Sequence, residues 1–162
     1  MLRILLVAAS AAALVACSTT VKEAPSGAGP AAAAAVRNLA IRNVSGSTTA
    51  ANVTPEIVAA LTEAIRSQLG GGVAGGQPAD VTFVISDYRV VSKATRFMVG
   101  ALAGSNRLTV DVTVKSPSGA TLRQFTVTRS ANTMGVGAVM NQKGSLIAQT
   151  AEGVAKTVRG EK

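Results

Sequence analysis

Between residues 107 and 115 the chain reads RLTVDVTVK, and this alternation limits the fold more than any other stretch. Leu108, Val110, Val112 and Val114 fall on one side of an extended chain, and Thr109, Asp111, Thr113 and Lys115 on the other. Successive strand side chains face opposite ways, so a period of two buries one face and wets the other. Such a strand belongs to an antiparallel sheet covered on one side only. Ser116-Pro117-Ser118-Gly119 follows as a turn. Residues 121–129 (TLRQFTVTR) return as the hairpin partner, with Phe125 and Val127 inward. Leu122 is out of phase with them, which predicts a bulge or a register offset.

A sheet with one dry face needs a second layer, and two segments have helical spacing. Thr54-Pro55-Glu56 reads as a helix start: Thr54 as cap, Pro55 in the first turn, Glu56 toward the positive end of the helix dipole. Ile57, Leu61, Ala64, Ile65 and Leu69 then form one stripe, and Gly70 is read as a left-handed stop. Near the C-terminus Met140, Gly144, Ile147, Ala151, Val154 and Val158 make a narrow seam rich in small residues. Gly144 and Gly153 weaken that helix locally, so packing must hold it. Residues 81–91 (VTFVISDYRVV) read as a strand apolar on both faces: Val81, Phe83 and Ile85 on one, Val84, Tyr88 and Val90 on the other. Residues 36–44 supply a first strand, and Asn43-Val44-Ser45-Gly46 reads as a turn after it. The order β-α-β-β-β-α predicts an α+β two-layer sandwich, with a mainly antiparallel three- to four-stranded sheet and two helices on one face.

Composition narrows function. The chain has one cysteine, no histidine and no tryptophan, and aromatics make up 2% of it. An intramolecular disulfide, a cysteine-rich zinc site, a histidine-dependent triad and a base-stacking surface all lack their raw material. No metal or cofactor is expected. Residues 70–76 contain a formal G-x-G-x-x-G, but it closes a helix and precedes a strand, the reverse of what a dinucleotide site needs. Asp87 and Asp111 are the one carboxylate pair that neighbouring strands could bring together; their ordinary role would be salt bridging to Arg89 or Lys115. No nucleophile motif occurs, and we expect no enzyme. The net charge of +8 is scattered, with no run of three basic residues. With so few aromatics and an export signal, nucleic acid is not an expected partner.

The export signal is at the start. Arg3 precedes an apolar run from Ile4 to Ala16 that Ser10 alone interrupts. About thirteen residues fit a signal-peptide core but are too few to span ~30 Å of hydrocarbon. The run ends Leu14-Val15-Ala16-Cys17, which resembles the bacterial lipobox. That resemblance implies diacylglyceryl transfer to the Cys17 thiol, cleavage before Cys17 and acylation of the new amine, so the mature protein is membrane-bound through Cys17. Ser18, where an aspartate would imply retention in the inner membrane, implies an outer-membrane address facing the periplasm. The predicted organisation is a signal peptide at 1–16, a lipidated cysteine and flexible tether at 17–35, and one α+β domain at 36–162.

One connection is unusual. Residues 97–104 (FMVGALAG) are all apolar or glycine, between strands, with Lys93, Arg96 and Arg107 around them. Connections are ordinarily polar, so such a segment either folds over the domain's own core or meets a partner or an anionic surface. The candidate partner-binding residues are Arg96, Phe97, Met98, Val99, Gly100, Leu102 and Gly104.

Ala79-Asp80, an alternating strand, residues 96–104, a second strand and Ser118-Gly119 together resemble a family of small bacterial outer-membrane lipoproteins of unknown function, over about residues 54–130. The most specific part is the R-[FY]-hydrophobic-G-x-x-x-G pattern at 96–104. The resemblance implies an envelope lipoprotein and assigns no catalytic residue. More loosely, a strand, the turn at Asn43 and a capped helix look like periplasmic domains of accessory lipoproteins of secretion or cell-wall synthesis. The expected function is a non-enzymatic binding or assembly module for an envelope protein partner. The alternative is a structural or stress-related envelope component whose basic surface binds anionic lipid or cell-wall polymer.

Overall fold

A computed structural model describes residues 17–23, 39–70, 76–92, 95, 98, 104–131 and 142–161. Its elements are β1 (Cys17–Glu23), β2 (Leu39–Thr48), α1 (Pro55–Leu69), β3 (Gln77–Arg89), β4 (Asn106–Lys115), β5 (Thr121–Ala131) and α2 (Gln142–Arg159). They form an α+β two-layer structure in which the sheet is five-stranded and mixed, in the order β1-β5-β4-β3-β2. Both helices pack on one face, α1 against β2 and α2 against β5, β4 and β1, and they also touch each other.

The β4–β5 hairpin follows the alternation. Val110 faces Ile85 on one side and Val127 on the other; Val112 faces Phe83 and Phe125. These side chains are buried under the helices with Leu61, Ile65, Leu146 and Val154. In the turn Gly119 N–H donates to the Ser116 carbonyl at 2.9 Å, with Gly119 at φ +85°, which only glycine adopts cheaply. Val114 pairs with Arg123 and Lys115 with Thr121, so the bulge predicted around Leu122 is present.

Several expectations are corrected. The sheet has five strands rather than three or four, and β2 pairs with β3 in parallel. The parallel pair follows from α1: a helix that runs back along the sheet returns the chain to start β3 in the direction of β2. Residues 43–46 are not a turn but the middle of β2, with Val44 buried. Tyr88 does not share a face with Val84, because the register shifts between Ile85 and Asp87 and Tyr88 joins Phe83 and Ile85 in the core. Gly70 is not left-handed: at φ −66° its N–H donates to the Arg66 carbonyl at 2.6 Å. A Cβ there would lie 2.9 Å from that oxygen, so closeness rather than φ is what glycine provides. Thr54 holds no backbone N–H with its hydroxyl. It bonds the Glu56 side chain instead, which with Glu56's own backbone N–H holds that carboxyl below the usual range. The seam of α2 is broader than the spacing predicts, since Leu146, Thr150 and Ala155 are also buried; Met140 lies outside the described residues.

The largest correction concerns the tether. Its first part, Cys17–Glu23, is strand β1, paired antiparallel with β5 at the sheet edge. Residues 24–38 therefore join one edge of the sheet to the other, from the end of β1 to the start of β2. Four strand spacings are about 19 Å, well within reach of that length of chain.

The Tyr88 hydroxyl is buried with no hydrogen-bond partner among the described residues. Burial also raises its pKa above 10.0. Tyr88→Phe is expected to raise the unfolding free energy by about 1 kcal/mol at neutral pH, by removing an unpaired buried polar group. A raised folded-state value contributes stability below the unfolded-state pKa and loses it as pH rises through the folded one. Denaturant melts should therefore show wild type weakening above pH 10 more steeply than the Phe variant.

Candidate functional site

Strand direction defines two ends of the domain. Cys17, the first residue of β1, pairs with Ala131, the last of β5, which also pairs with Asn106, the first of β4. One row further in, Ser18 faces Ser130, which faces Arg107, which faces Arg89 at the end of β3. The connection between β3 and β4 therefore leaves and re-enters the sheet at the same end where β1 begins. We call this the Cys17 end.

The start of that connection is pinned by polar contacts. The Val91 N–H donates to the Asn106 Oδ1 at 2.9 Å, and Asn106 is almost wholly buried. The Ser92 hydroxyl accepts from the Thr95 N–H at 3.1 Å and lies 2.8 Å from the Thr95 hydroxyl. At the other end of the connection Gly104 sits at φ +81° beside the Arg89 guanidinium, where a Cβ would come within 3.3 Å of Nη2. Of the candidate partner-binding residues, Met98 is 82% exposed and Gly104 forms this corner. Met98 is thus a surface residue and not core. Arg96, Phe97, Val99, Gly100 and Leu102 lie outside the described residues.

A second feature is not legible in the sequence. A groove of about 630 Å³ runs between β1 and α2, with Val21, Arg123, Arg129, Gln149, Glu152 and Lys156 among its walls. It lies where α2 rests on β5 and the edge strand β1. Gly153 sets its depth: a Cβ there would lie 3.3 Å from Val127 Cγ1 and 3.4 Å from Thr19 Cγ2, so α2 sits close on β5 and β1. Its charges are largely internally engaged. Arg123 contacts Glu23 and the Thr157 carbonyl, Arg129 Nε donates to Gln149 at 2.8 Å, and Lys156 pairs with Glu152 at 2.8 Å. The last pair bonds both partners' charged forms, lowering the Glu152 pKa and raising that of Lys156. The usable signal is Ser18-Thr19-Thr20-Val21, short and β-branched, but without the apolar alternation of a buried strand.

Asp87 and Asp111 lie on the open sheet face, opposite Thr109 and Val84. Strand geometry sets them a diagonal apart, roughly 7–8 Å. Asp111 accepts a 2.6 Å hydrogen bond from Thr126, and Asp87 is exposed. The groove lies on the other face, so the two carboxylates share no cavity with it. Among the described residues no cluster of Asp, Glu or Cys has metal-binding geometry, and no helix is long and apolar enough to cross a membrane.

No family model and no curated protein matches the chain. Solved structures do. A single-residue variant of PelC from Paraburkholderia phytofirmans, described as a dodecamer, superposes with a TM-score of 0.50 at 20% identity, covering 83% of this chain and 95% of its own. The PelC dodecamer in a second crystal form gives 0.49 at 18%, covering 83% and 96%. A chain from Caulobacter crescentus CB15, provisionally designated a lipoprotein, gives 0.39 at 13%, covering 80% and 94%. The first of these establishes a shared fold; identity this low establishes nothing more.

Proposed function

We propose that the chain is a lipid-anchored lipoprotein of the bacterial outer membrane, facing the periplasm, whose α+β domain is a non-enzymatic binding and assembly module. The observation that carries this reading is Cys17. It is the sole cysteine, it closes a lipobox-like Leu14-Val15-Ala16, and it is the residue at which the described fold begins. The shared fold adds support, since the PelC chain is described as a dodecamer and this domain has the same architecture. Two carboxylates on an open, threonine-lined sheet face, held apart from the groove, support a binding role over a catalytic one.

Met98 is the handle for testing the module. At 82% exposure, Met98→Asp should change stability by no more than about 0.5 kcal/mol in a thermal melt. In crosslinking of the lipidated protein within its own envelope, the same variant should lose the higher-mass species that wild type forms. Crosslinks that survive unchanged would remove the β3–β4 connection as the partner surface. A variant that no longer folds would overturn the surface role given to Met98.

A further inference from the structure

The two edges of the sheet are held differently. At one edge, β2 puts Leu39 and Val44 into the core, and Ile41 packs against it. At the other edge, every residue of β1 from Ser18 to Glu23 is exposed, and none of them belongs to the core or packs against it. Val21, the large apolar side chain of the strand, is 41% exposed. Its neighbour β5 is by contrast fully engaged, with Phe125 and Val127 buried. Apart from the approach of Thr19 to Gly153, the inner side of β1 borders the groove of about 630 Å³.

Two kinds of bond hold β1 in place. The first is the backbone ladder to β5, from Cys17–Ala131 to Glu23–Phe125. Backbone hydrogen bonds that replace bonds to water return a net gain of the same order as the cost of ordering the residues, so a ladder with little apolar burial is close to balance. The second is the ion pair of Glu23 with Arg123. Glu23 is 59% exposed there, and a pair so open to solvent contributes little. Arg123 keeps other partners without it: its guanidinium also donates to the Thr157 carbonyl and stands 5.6 Å over the Phe125 ring. The Lys156–Glu152 and Arg129–Gln149 contacts close without any residue of β1. Parting β1 from β5 therefore takes none of the side chains from Ser18 to Glu23 out of the core. Its cost is the ladder and the cover that β1 gives to one flank of Val127.

We infer that β1 is a strap: it opens from β5 and closes on it as a unit while the rest of the domain stays folded. Openings of this local kind are drawn from the elements with the least apolar burial. For a chain acylated at Cys17, the strap sets the length of the tether. Closed, it brings the edge of the sheet to the anchor itself. Open, it leaves residues 18–38 between the anchor and Leu39, a length of chain that can extend to about 70 Å. That consequence rests on the reading of Cys17 as lipidated; the opening of β1 does not.

The test is residue-resolved hydrogen exchange, read by NMR, on the full chain matured with its anchor and held in detergent micelles. The amides of β1 that bond β5 should exchange at least about 100-fold faster than those in the middle of β4, at a rate that low denaturant does not change. The amides of β2 that bond β3 should keep the slow, denaturant-sensitive exchange of β4. Glu23→Gln should speed exchange in β1 about two- to fivefold and leave β4 and the melting temperature unchanged. A β1 protected as well as β2 overturns the inference. A Glu23→Gln variant that loses protection equally in β1 and β4 overturns it as well, since the strand then opens only with the whole domain. Mass spectrometry of the same sample keeps the two readings apart. An unmodified Cys17 defeats the anchor reading, while the exchange pattern of that chain still decides the strap.

Discussion

Gly46→Val is expected to leave the domain unfolded. A Cβ on residue 46 would stand 2.1 Å from Phe83 Cζ and 2.5 Å and 2.6 Å from the ring's Cε atoms. The ring lies flat over the glycine, where β2 and β3 pair Gly46 directly with Phe83. Phe83 is 2% exposed and packed among the residues of one continuous core, so it has no free volume to retreat into. Displacing a buried phenylalanine costs about 3–5 kcal/mol, and the strain of an overfilled core adds to that. Against a net stability of roughly 5–15 kcal/mol, even Gly46→Ala should lower the melting temperature severely. The mechanism has its own check. Shortening the ring with Phe83→Leu should partly rescue Gly46→Ala, with a coupling of about 1–3 kcal/mol in a double-mutant cycle. Strict additivity in that cycle would show that the ring is not what the methyl meets.

Cys17→Ser should abolish acylation entirely. A serine hydroxyl is a far poorer nucleophile than a thiolate, and no second cysteine can substitute. Each buried CH2 contributes ~0.8 kcal/mol and one acyl chain alone binds only marginally, so a multiply acylated cysteine separates a permanently anchored protein from an unanchored one. The variant should incorporate no fatty-acid label, retain residues 1–16 as uncut precursor and disappear from the outer-membrane fraction. Fatty-acid label persisting on the serine variant would defeat the reading of Cys17 as the lipid attachment point.

The two predictions sit at opposite ends of what can be read from residues alone. The lipobox-like pattern, in the function we propose, is a local code read on an extended chain, so its chemistry would need no fold. The role of Gly46 is invisible in the sequence for the converse reason. Asn43-Val44-Ser45-Gly46 has turn composition, and only the approach of Phe83 from a strand 37 positions away explains why glycine stands within β2. The face of Tyr88 is hidden by a similar non-local effect. The register shift after Ile85 is a property of the β3–β4 pairing, and it carries every later side chain to the other face. Of the candidate partner residues, Met98 and Gly104 can be located, and they support a surface connection with a glycine corner.

The sequence by itself determined the elements whose signals are short-range: the β4–β5 hairpin with its turn and bulge, α1 with its proline start, and the helical seam of α2, together with Cys17 as the sole cysteine. Period, turn chemistry and motif spacing act within a few residues and survive without a partner. Tertiary structure alone decided that Ser18-Thr19-Thr20-Val21 is a strand, that β2 and β3 run parallel, and that a groove forms between β1 and α2. The physical reason is the same in each case. An edge strand is held by the hydrogen bonds and side chains of its neighbour, here β5, and a groove exists only once that strand and a distant helix are brought together.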